Sequence, residues 1–195
     1  MSHKLFWILR GIFYKPFFGR FSLPSYIGRP IFISNFKRIF IAERVRIFPG
    51  ARIEVLDANA SIVFEGNTSI GQNLHIISGG GQMLKIGKNS TLSANVFITN
   101  VDHKYCEINK HILEQPLVSV NTSVGENCFI GYGAVLQAGT ILGNQCIVGA
   151  NTVVRGKFPS YSVIVGAPAK IVKRYDSQLK IWKKTNTKGE FFDEI

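Results

Sequence analysis

Residues 118–154 read VSVNTSVGENCFIGYGAVLQAGTILGNQCIVGANTVV, a segment with a regular six-residue period. An aliphatic residue occupies every sixth position, and a small residue follows four positions after each of the first six. The aliphatic positions are Val118, Val124, Ile130, Leu136, Leu142, Val148 and Val154. A period of six suits neither an α-helix, which repeats about every 3.6 residues, nor an amphipathic strand, which alternates. It predicts a parallel β-helix built from hexapeptides.

Each hexapeptide of such a β-helix forms a short strand and a turn, and three of them close one triangular coil of about 18 residues. The aliphatic side chain points into the prism, and neighbouring coils lie about 4.8 Å apart. Position n therefore stacks on n+18, which places Val118 on Leu136, Val124 on Leu142 and Ile130 on Val148. Cys128 and Cys146 form another stacked pair, and we expect both to be reduced thiols in the core.

The same period continues less regularly through the preceding part of the chain, where its phase slips between blocks. The members of these blocks are Ile41, Ile47, Ile53, Ile70, Ile76, Ile86, Leu92 and Ile98. The glycine-rich residues 78–82 account for one slip as a bulged turn. Residues 99–117 are predicted to leave the prism, because polar side chains such as Asp102 and His103 cannot line a dry interior. Loops on a rigid scaffold often carry function.

These patterns divide the chain into three parts. Residues 1–40 form a basic aromatic N-terminal segment, and residues 41–168 form the β-helix domain with its excursion at 99–117. Residues 169–195 form a C-terminal strand, a short helix and a tail. We expect Asp176 or Ser177 to cap that helix, since both residue types accept hydrogen bonds from the first helical amides.

Charge is concentrated at the two ends of the chain. Residues 1–42 hold seven Lys/Arg and no acid, residues 43–154 seven bases and eight acids, and residues 155–195 nine bases and four acids. In residues 1–20, aromatic and aliphatic side chains alternate with bases, a composition that suits an anionic membrane surface. The same apolar stripe also suits packing on the protein's own body or on a neighbouring subunit. Both interpretations stay open.

Several other classes of protein fit poorly. The apolar run at Phe6–Leu9 ends at Arg10, too early for a signal peptide, and no run approaches the roughly 20 residues of a membrane span. We therefore expect a cytoplasmic protein, with peripheral contact at the inner face of the membrane as an option. No zinc-type Cys/His spacing and no nucleic-acid-binding motif occurs, so we expect neither a metal nor a nucleic-acid partner.

Residues 118–172 resemble the hexapeptide-repeat acyltransferases, in the branch that contains the galactoside, maltose and polysaccharide O-acetyltransferases. The resemblance extends over about residues 60–172 and is absent from the N-terminal segment. It implies an all-β fold, a left-handed parallel β-helix with a protruding catalytic loop, and assembly as a homotrimer with active sites at subunit interfaces. The hand comes from the resemblance alone, since parallel crossovers are generally right-handed.

The resemblance also implies a catalytic histidine in the excursion. The matching run is Ile98–Tyr105, in which His103 occupies the position of that histidine and Val101 replaces an earlier histidine of many relatives. A neutral imidazole is suited to accept a hydroxyl proton near neutral pH, so the residue type fits acetyl transfer to an alcohol. We expect direct transfer without an acyl-enzyme.

The resemblance further implies that acetyl-CoA is the acyl donor and lies in a groove between neighbouring prisms. Tyr132 and Ala150 match the positions whose backbone contacts pantetheine. The candidates for the CoA phosphates are Arg155, Lys157, Lys170, Lys173 and Arg174. Asn73 matches, loosely, an asparagine that contacts the acceptor, and Asp102 adjoins the catalytic position.

The function that these features predict is acetyl-CoA-dependent O-acetylation of a saccharide hydroxyl, in the biosynthesis of a cell-envelope polysaccharide such as O-antigen, capsule or exopolysaccharide. The alternative is a small-molecule acetyltransferase acting on a free sugar, serine or an antibiotic. A metal enzyme like the γ-carbonic anhydrases would need closely spaced histidines, whereas His103 and His111 are eight residues apart. A non-catalytic scaffold is a further alternative.

Overall fold

A computed structural model describes residues 2–192, and residues 20–165 of it wind into a three-sided parallel β-helix. Each coil contributes one strand to each of three sheets, so each face of the prism is one parallel sheet. The predicted register holds in the C-terminal coils, with Ile130 opposite Val148 and Val124 opposite Leu142. The predicted β-helix is confirmed.

Sheet A, the first face, contains seven strands. They are β1 Arg20–Phe21, β4 Ile39–Ile41, β7 Ser61–Phe64, β10 Met83–Ile86, β15 Ser123–Val124, β18 Ile141–Leu142 and β21 Lys157–Phe158. Sheet C, the third face, contains six strands. They are β3 Phe32–Ile33, β6 Arg52–Val55, β9 His75–Ser78, β12 Phe97–Thr99, β17 Val135–Leu136 and β20 Val153–Val154.

Sheet B, the second face, has seven parallel strands followed by two antiparallel ones. The parallel strands are β2 Tyr26–Ile27, β5 Arg46–Ile47, β8 Ser69–Ile70, β11 Thr91–Leu92, β16 Phe129–Ile130, β19 Ile147–Val148 and β22 Ser162–Val165. The antiparallel strands are β23 Lys170–Asp176 and β24 Ile181–Lys184. Helix α1 spans Ser2–Tyr14, and short 3-10 helices span Phe36–Arg38 and Ile112–Glu114.

The core is a column of aliphatic side chains along the prism axis. Ile47, Ile70, Leu92 and Ile130 follow one another on sheet B, each 0 to 1% exposed. The corners between sheets need backbone in the left-handed region, which Asn and Gly tolerate better than other residues. Asparagines at stacked corners also bond to one another, as Asn67 Nδ2 does to Asn89 Oδ1 at 3.0 Å.

Both core cysteines are buried and free. The Cys128 thiol donates to the Gly143 carbonyl at 3.2 Å, and the Cys146 thiol donates to the Pro159 carbonyl at 3.3 Å. Each thiol thus bonds to the main chain of the next coil.

The prism begins one coil earlier than the expected boundary at residue 41. Residues 20–33 already form β1, β2 and β3, which pair in parallel with the following coil. Phe21, Ile27 and Ile33 keep the six-residue period, but the many other apolar residues around them hide it in the sequence.

The expected C-terminal helix is wrong, because residues 170–184 form a β-hairpin, β23–β24. Asp176 does accept hydrogen bonds from the amides of Gln178 and Leu179, at 2.9 and 3.1 Å, but these bonds close a turn. Lys180 then adopts a left-handed φ of 55°, which reverses the chain. Tyr175 and Trp182 pair across the hairpin with ring centroids 5.7 Å apart.

The predicted stacking of Val118 on Leu136 is also wrong. Val118 lies outside the prism, in an antiparallel strand opposite Asp102, and the neighbour of Leu136 on its N-terminal side is Ile98. The coil resumes only at β15, so the position of Val118 six residues before Val124 is coincidental.

Helix α1 packs on the N-terminal coils. The Trp7 ring contacts those of Tyr26 and Phe48, at 5.8 and 5.5 Å between centroids, and Arg10 donates to the Ile27 carbonyl. The opposite side of the helix is exposed, with Leu5, Leu9 and Phe13 each more than half accessible. Within residues 2–192, no helix is long and apolar enough to cross a membrane.

We expect Leu136→Ala to lower the free energy of unfolding by about 2–5 kcal/mol, because it leaves a cavity inside the column. The matched control Ile147→Ala removes a side chain that is 38% exposed on the outside of the prism, and should cost less than about 1 kcal/mol. Urea denaturation at one protein concentration measures both. Equal costs would contradict an interior position for Leu136.

Candidate functional site

The excursion is an antiparallel hairpin that leaves the prism between sheets C and A. Strand β13, Val101–His103, pairs with β14, Leu117–Ser119, so that His103 lies opposite Leu117. The chain leaves after β12 of sheet C and returns to β15 of sheet A. The excursion spans residues 100–122, so it starts one residue later and ends five residues later than the predicted 99–117.

Asn100 anchors this hairpin to the prism, and sequence reasoning missed it. Its side chain is wholly buried, accepts from the Gly79 amide at 2.8 Å and donates to Ser78 Oγ at 3.2 Å. The Asn100 carbonyl accepts from the Val120 amide at 2.8 Å, which closes the base of the hairpin. The sequence did contain an indication of this role, since Asn100 is a polar residue that directly follows a buried strand.

The hairpin packs directly against the glycine-rich turn at residues 78–82. Gly80 has a φ of +66°, and a Cβ placed on it would clash with Ser119 Oγ. A Cβ on Gly79 would lie 2.9 Å from the Val101 side chain. Only residues without a side chain let β13 and β14 approach this closely.

Gln115 organises the tip of the loop. It is 6% exposed, and its Oε1 accepts from the Glu107 amide at 3.1 Å. Its Nε2 donates to the carbonyls of Glu107 and Lys110, each at 3.1 Å. The loop is thus held by one buried amide side chain at its base and another at its tip.

His103 borders a cavity of about 290 Å³ between the hairpin and sheet C. The other lining residues are Ile77, Phe97, Thr99, Val101, Asp102, Leu117, Val135, Gln137 and Ala138. The His103 side chain is exposed, and its ring has no hydrogen-bond partner among residues 2–192. The ring nitrogens are therefore free to meet a substrate.

Asp102 does not orient the His103 ring within the described chain. Its Oδ1 accepts from the His103 main-chain amide at 2.9 Å, and its Oδ2 lies 3.9 Å from Arg155 Nη1. The latter contact joins the hairpin to the corner that follows β20. Asp102, His103 and Arg155 are therefore brought together by the fold.

The predicted residues Asn73, Tyr132 and Ala150 lie at a different corner, between sheets B and C. Asn73 Nδ2 donates to Asn95 Oδ1 at 3.0 Å, and Asn95 Nδ2 donates to the Tyr132 hydroxyl. Ala150 lies in the next turn of the same corner. The amide of Asn73 thus belongs to a ladder of side chains along this edge of the prism.

Sheet C separates Asn73, Tyr132 and Ala150 from His103 and Arg155, because the first group lies at the corner where its strands begin and the second at the corner where they end. Lys157 begins β21, just past the corner of Arg155, and Lys170 begins β23 at the C-terminal end of sheet B. Arg155, Lys157 and Lys170 are all exposed. One chain alone therefore does not bring the predicted backbone contacts to CoA together with His103.

A larger cavity, of about 580 Å³, lies on sheet A, away from these residues. Its charged lining is balanced between bases and acids, namely Arg20, Arg44, Lys88, Glu43, Glu65 and Glu126. None of the predicted site residues lines it. No three His, Cys, Asp or Glu side chains converge on a metal position anywhere in residues 2–192.

Two family models match the chain. The model for the bacterial transferase hexapeptide (six repeats) matches residues 121–156, and that for the hexapeptide repeat of succinyl-transferase matches residues 84–100. Both ranges lie in the β-helix, on either side of the hairpin.

Two curated proteins are similar in sequence. The putative lipopolysaccharide biosynthesis O-acetyl transferase WbbJ of Escherichia coli (strain K12) is 35% identical over 135 residues, which are 63% of this chain and 65% of WbbJ. The probable acetyltransferase Rv3034c of Mycobacterium tuberculosis is 34% identical over 90 residues, 46% of this chain and 30% of that protein. The chain thus spans less than two thirds of either relative.

Solved structures show the same fold at low sequence identity. AntD, an N-acyltransferase from Bacillus cereus solved with dTDP and 3-hydroxybutyryl-CoA, has a TM-score of 0.71 at 14% identity, over 87% of this chain and 90% of AntD. A maltose O-acetyltransferase from Clostridium difficile 630 has a TM-score of 0.54 at 21% identity, over 86% of this chain and 75% of its own.

We expect Asn100→Ala to loosen the hairpin, because the Gly79 amide and Ser78 hydroxyl lose their buried partner. Trypsin cleavage after Lys104 or Lys110 should become about fivefold faster or more, corresponding to the roughly 1 kcal/mol or more that such a loss costs. The control Asn59→Ala changes an exposed asparagine whose side chain makes no hydrogen bond within residues 2–192. Unchanged cleavage in Asn100→Ala would contradict the anchoring role.

Proposed function

Because this chain belongs to the hexapeptide-repeat acyltransferases, we propose that it transfers an acetyl group from acetyl-CoA to a saccharide hydroxyl of a cell-envelope polysaccharide. The observation that carries the proposal is the free His103 ring, which a doubly anchored hairpin holds beside a cavity on sheet C. The similarity to WbbJ supports a saccharide acceptor, and the acyl-CoA in the AntD structure supports the donor.

In the proposed reaction, neutral His103 accepts the proton of the acceptor hydroxyl as its oxygen attacks the thioester carbonyl. The C–S bond then breaks, and the imidazolium returns the proton to the departing CoA sulfur. Main-chain amides at the corners are suited to bind the developing oxyanion. Among the described residues, neither Ser nor Cys lines the cavity, which favours direct transfer without a covalent acetyl-enzyme.

We infer that the complete site forms between two copies of the chain in a homotrimer. His103 and Arg155 lie at one edge of sheet C, whereas Tyr132 and Ala150 lie at the other. If the corner of one prism that carries His103 and Arg155 packs against the corner of a neighbouring prism that carries Tyr132 and Ala150, the base and the donor contacts come together. In this arrangement Arg155, Lys157 and Lys170 hold the CoA phosphates, and Asp102 and Asn73 face the acceptor.

We expect His103→Ala to lower the rate of acetyl transfer by about 10²–10⁴-fold, the usual contribution of a general base, while CoA binding is retained. Release of free thiol from acetyl-CoA is followed with a panel of saccharides, including a surface glycan of the host, and with serine. His111→Ala is the matched control, since His111 lies in the same loop but only accepts from the Leu113 amide. Equal rates in His103→Ala and wild type would refute the proposed base.

We also propose that α1 contacts an anionic membrane surface through its exposed side, which brings the enzyme to a lipid-linked acceptor at the cytoplasmic face. Leu9 and Phe13 are exposed there, and Lys4 and Lys15 are exposed nearby. Residues 1–42 contain no acid that would oppose such contact. Apolar area and basic charge together are what interfacial binding requires.

Vesicles of phosphatidylglycerol should sediment with the protein at low salt and release it at high salt. Lys4→Gln with Lys15→Gln should weaken binding by about fivefold for each charge, and Leu9→Ser with Phe13→Ser should weaken it further. Phosphatidylcholine vesicles and Lys188→Gln, which changes a base at the other end of the chain, serve as controls. Binding that neither pair of substitutions changes would exclude α1 as the contact.

A further inference from the structure

A second cluster of polar side chains lies on the outer face of sheet C, beside the His103 cavity. Successive strands place Phe32, Arg52, His75 and Phe97 in one row across the sheet, each directly opposite the next. Glu54 lies two residues along from Arg52 and opposite Ile77. The proposed function does not use Arg52, Glu54 or His75.

The three polar side chains form one hydrogen-bonded unit. Arg52 donates to Glu54 through Nε at 2.7 Å and through Nη2 at 3.2 Å, a bidentate contact. The same Glu54 Oε1 lies 2.9 Å from His75 Nε2. Hydrogen bonding from Arg52 lowers the pKa of Glu54, so the carboxylate is ionised near neutral pH and accepts from both neighbours.

Aromatic rings bound the unit on both sides. The Arg52 guanidinium lies 5.5 Å from the centroid of the Phe32 ring, and the His75 ring packs edge-on against Phe97 at 5.0 Å. Phe32 is 46% exposed, and the side chains of Arg52 and His75 are 48% and 37% exposed. Two apolar rings therefore flank a polar centre that is open to solvent.

The ion pairs of this unit add little stability. The Glu54 side chain is 14% exposed, but its partners Arg52 and His75 are open to water, and such pairs contribute about 0–1 kcal/mol. Arg52 Nη1 and His75 Nδ1 also have no hydrogen-bond partner among residues 2–192. The unit thus holds two free polar atoms in fixed positions.

The free atoms complement sugar hydroxyl groups. When Glu54 accepts from the Nε2–H of neutral His75, Nδ1 is left as an acceptor, whereas Arg52 Nη1 is a donor. A hydroxyl both donates and accepts, so sugar hydroxyl groups can satisfy either atom. The rings of Phe32 and Phe97 offer flat apolar surfaces against which the C–H faces of a pyranose pack.

The cluster is continuous with the His103 cavity. Phe97 and Ile77 line that cavity, and they are the direct strand neighbours of His75 and Glu54. From β12, which carries Phe97, to β6, which carries Arg52, is two strand spacings, or about 10 Å. This span exceeds one pyranose ring.

We propose that Arg52, Glu54 and His75 form a second saccharide subsite, which binds a non-reacting sugar unit of the acceptor while the reacting unit lies beside His103. The acceptor is then an oligosaccharide of at least two units that runs along sheet C toward the N-terminal coils. Phe32 and Phe97 pack against its sugar rings. This subsite rests on the proposed function for the identity of its ligand, but its binding is measurable without acetyl transfer.

The test is saturation-transfer NMR without acetyl-CoA, on the full chain. The probes are maltotriose, chitotriose and β-1,4-galactotriose, each with the corresponding methyl monosaccharide. We expect wild type to bind at least one trisaccharide more tightly than its monosaccharide. Arg52→Met and His75→Phe, which keep size but remove the free polar atoms, should each weaken that trisaccharide by about fivefold or more and leave the monosaccharide unchanged.

Lys85→Met and Glu65→Gln are the matched controls. They break an ion pair of 3.4 Å on the outer face of sheet A and should change nothing. His103→Ala should retain trisaccharide binding, so loss of catalysis alone does not decide the result. If His103→Ala proves fully active while Arg52→Met loses trisaccharide binding, the proposed base fails and the subsite stands.

Three outcomes would overturn the subsite. They are no saturation transfer to any trisaccharide in wild type, equal trisaccharide affinity in wild type and in both sheet C variants, and dissociation of the assembly in those variants. Sedimentation velocity detects the last outcome, which would assign this face of sheet C to contact between copies of the chain.

Discussion

The inward column of aliphatic side chains governs how the whole chain winds. Because each coil stacks directly on the previous one, Ile130 meets Leu92 on one side and Val148 on the other. An inserted residue would turn every later side chain out of this column. Extra chain must therefore leave the prism at a corner and return to the same phase, as residues 100–122 do between sheets C and A.

This constraint explains why the candidate site combines rigidity with irregular structure. The prism itself has only short strands and tight corners, which provide main-chain hydrogen-bonding groups but few reactive side chains. The hairpin that carries His103 contributes the imidazole, and Asn100 and Gln115 hold it in place by buried hydrogen bonds. Such amides are costly to leave unpaired inside a protein, so each favours one arrangement of the loop.

Sheet C has a special position among the three faces. Its outer surface joins the corner with His103 and Arg155 to the corner with Tyr132, and it also carries the Arg52 cluster. Base and acceptor are therefore proposed to meet on this face, to which a neighbouring copy of the chain brings the donor. A parallel sheet suits this arrangement, because side chains on one face repeat at a constant strand spacing.

The architecture can be predicted from the sequence, because the inward column requires an aliphatic residue at every sixth position and this period is visible in the chain. It also located the excursion, since Asp102 and His103 cannot be buried in such a column. In residues 20–40 the period was hidden by other apolar side chains. The period also placed Val118 in the prism, although its position six residues before Val124 is coincidental. The hand of the coil came from the resemblance, since a period carries no hand.

Which polar side chains meet follows only from the folded chain. Asn100 reaches the turn at Gly79, and Glu54 reaches His75, across about 20 positions of the chain that stacking brings side by side. The turn at Asp176 was equally undecided, because its hydrogen bonds begin a helix or a hairpin alike. The six-residue period reflects the requirements of each short strand and turn. The hydrogen bonds between side chains at the candidate site depend instead on distances between remote segments, which no short stretch of sequence specifies.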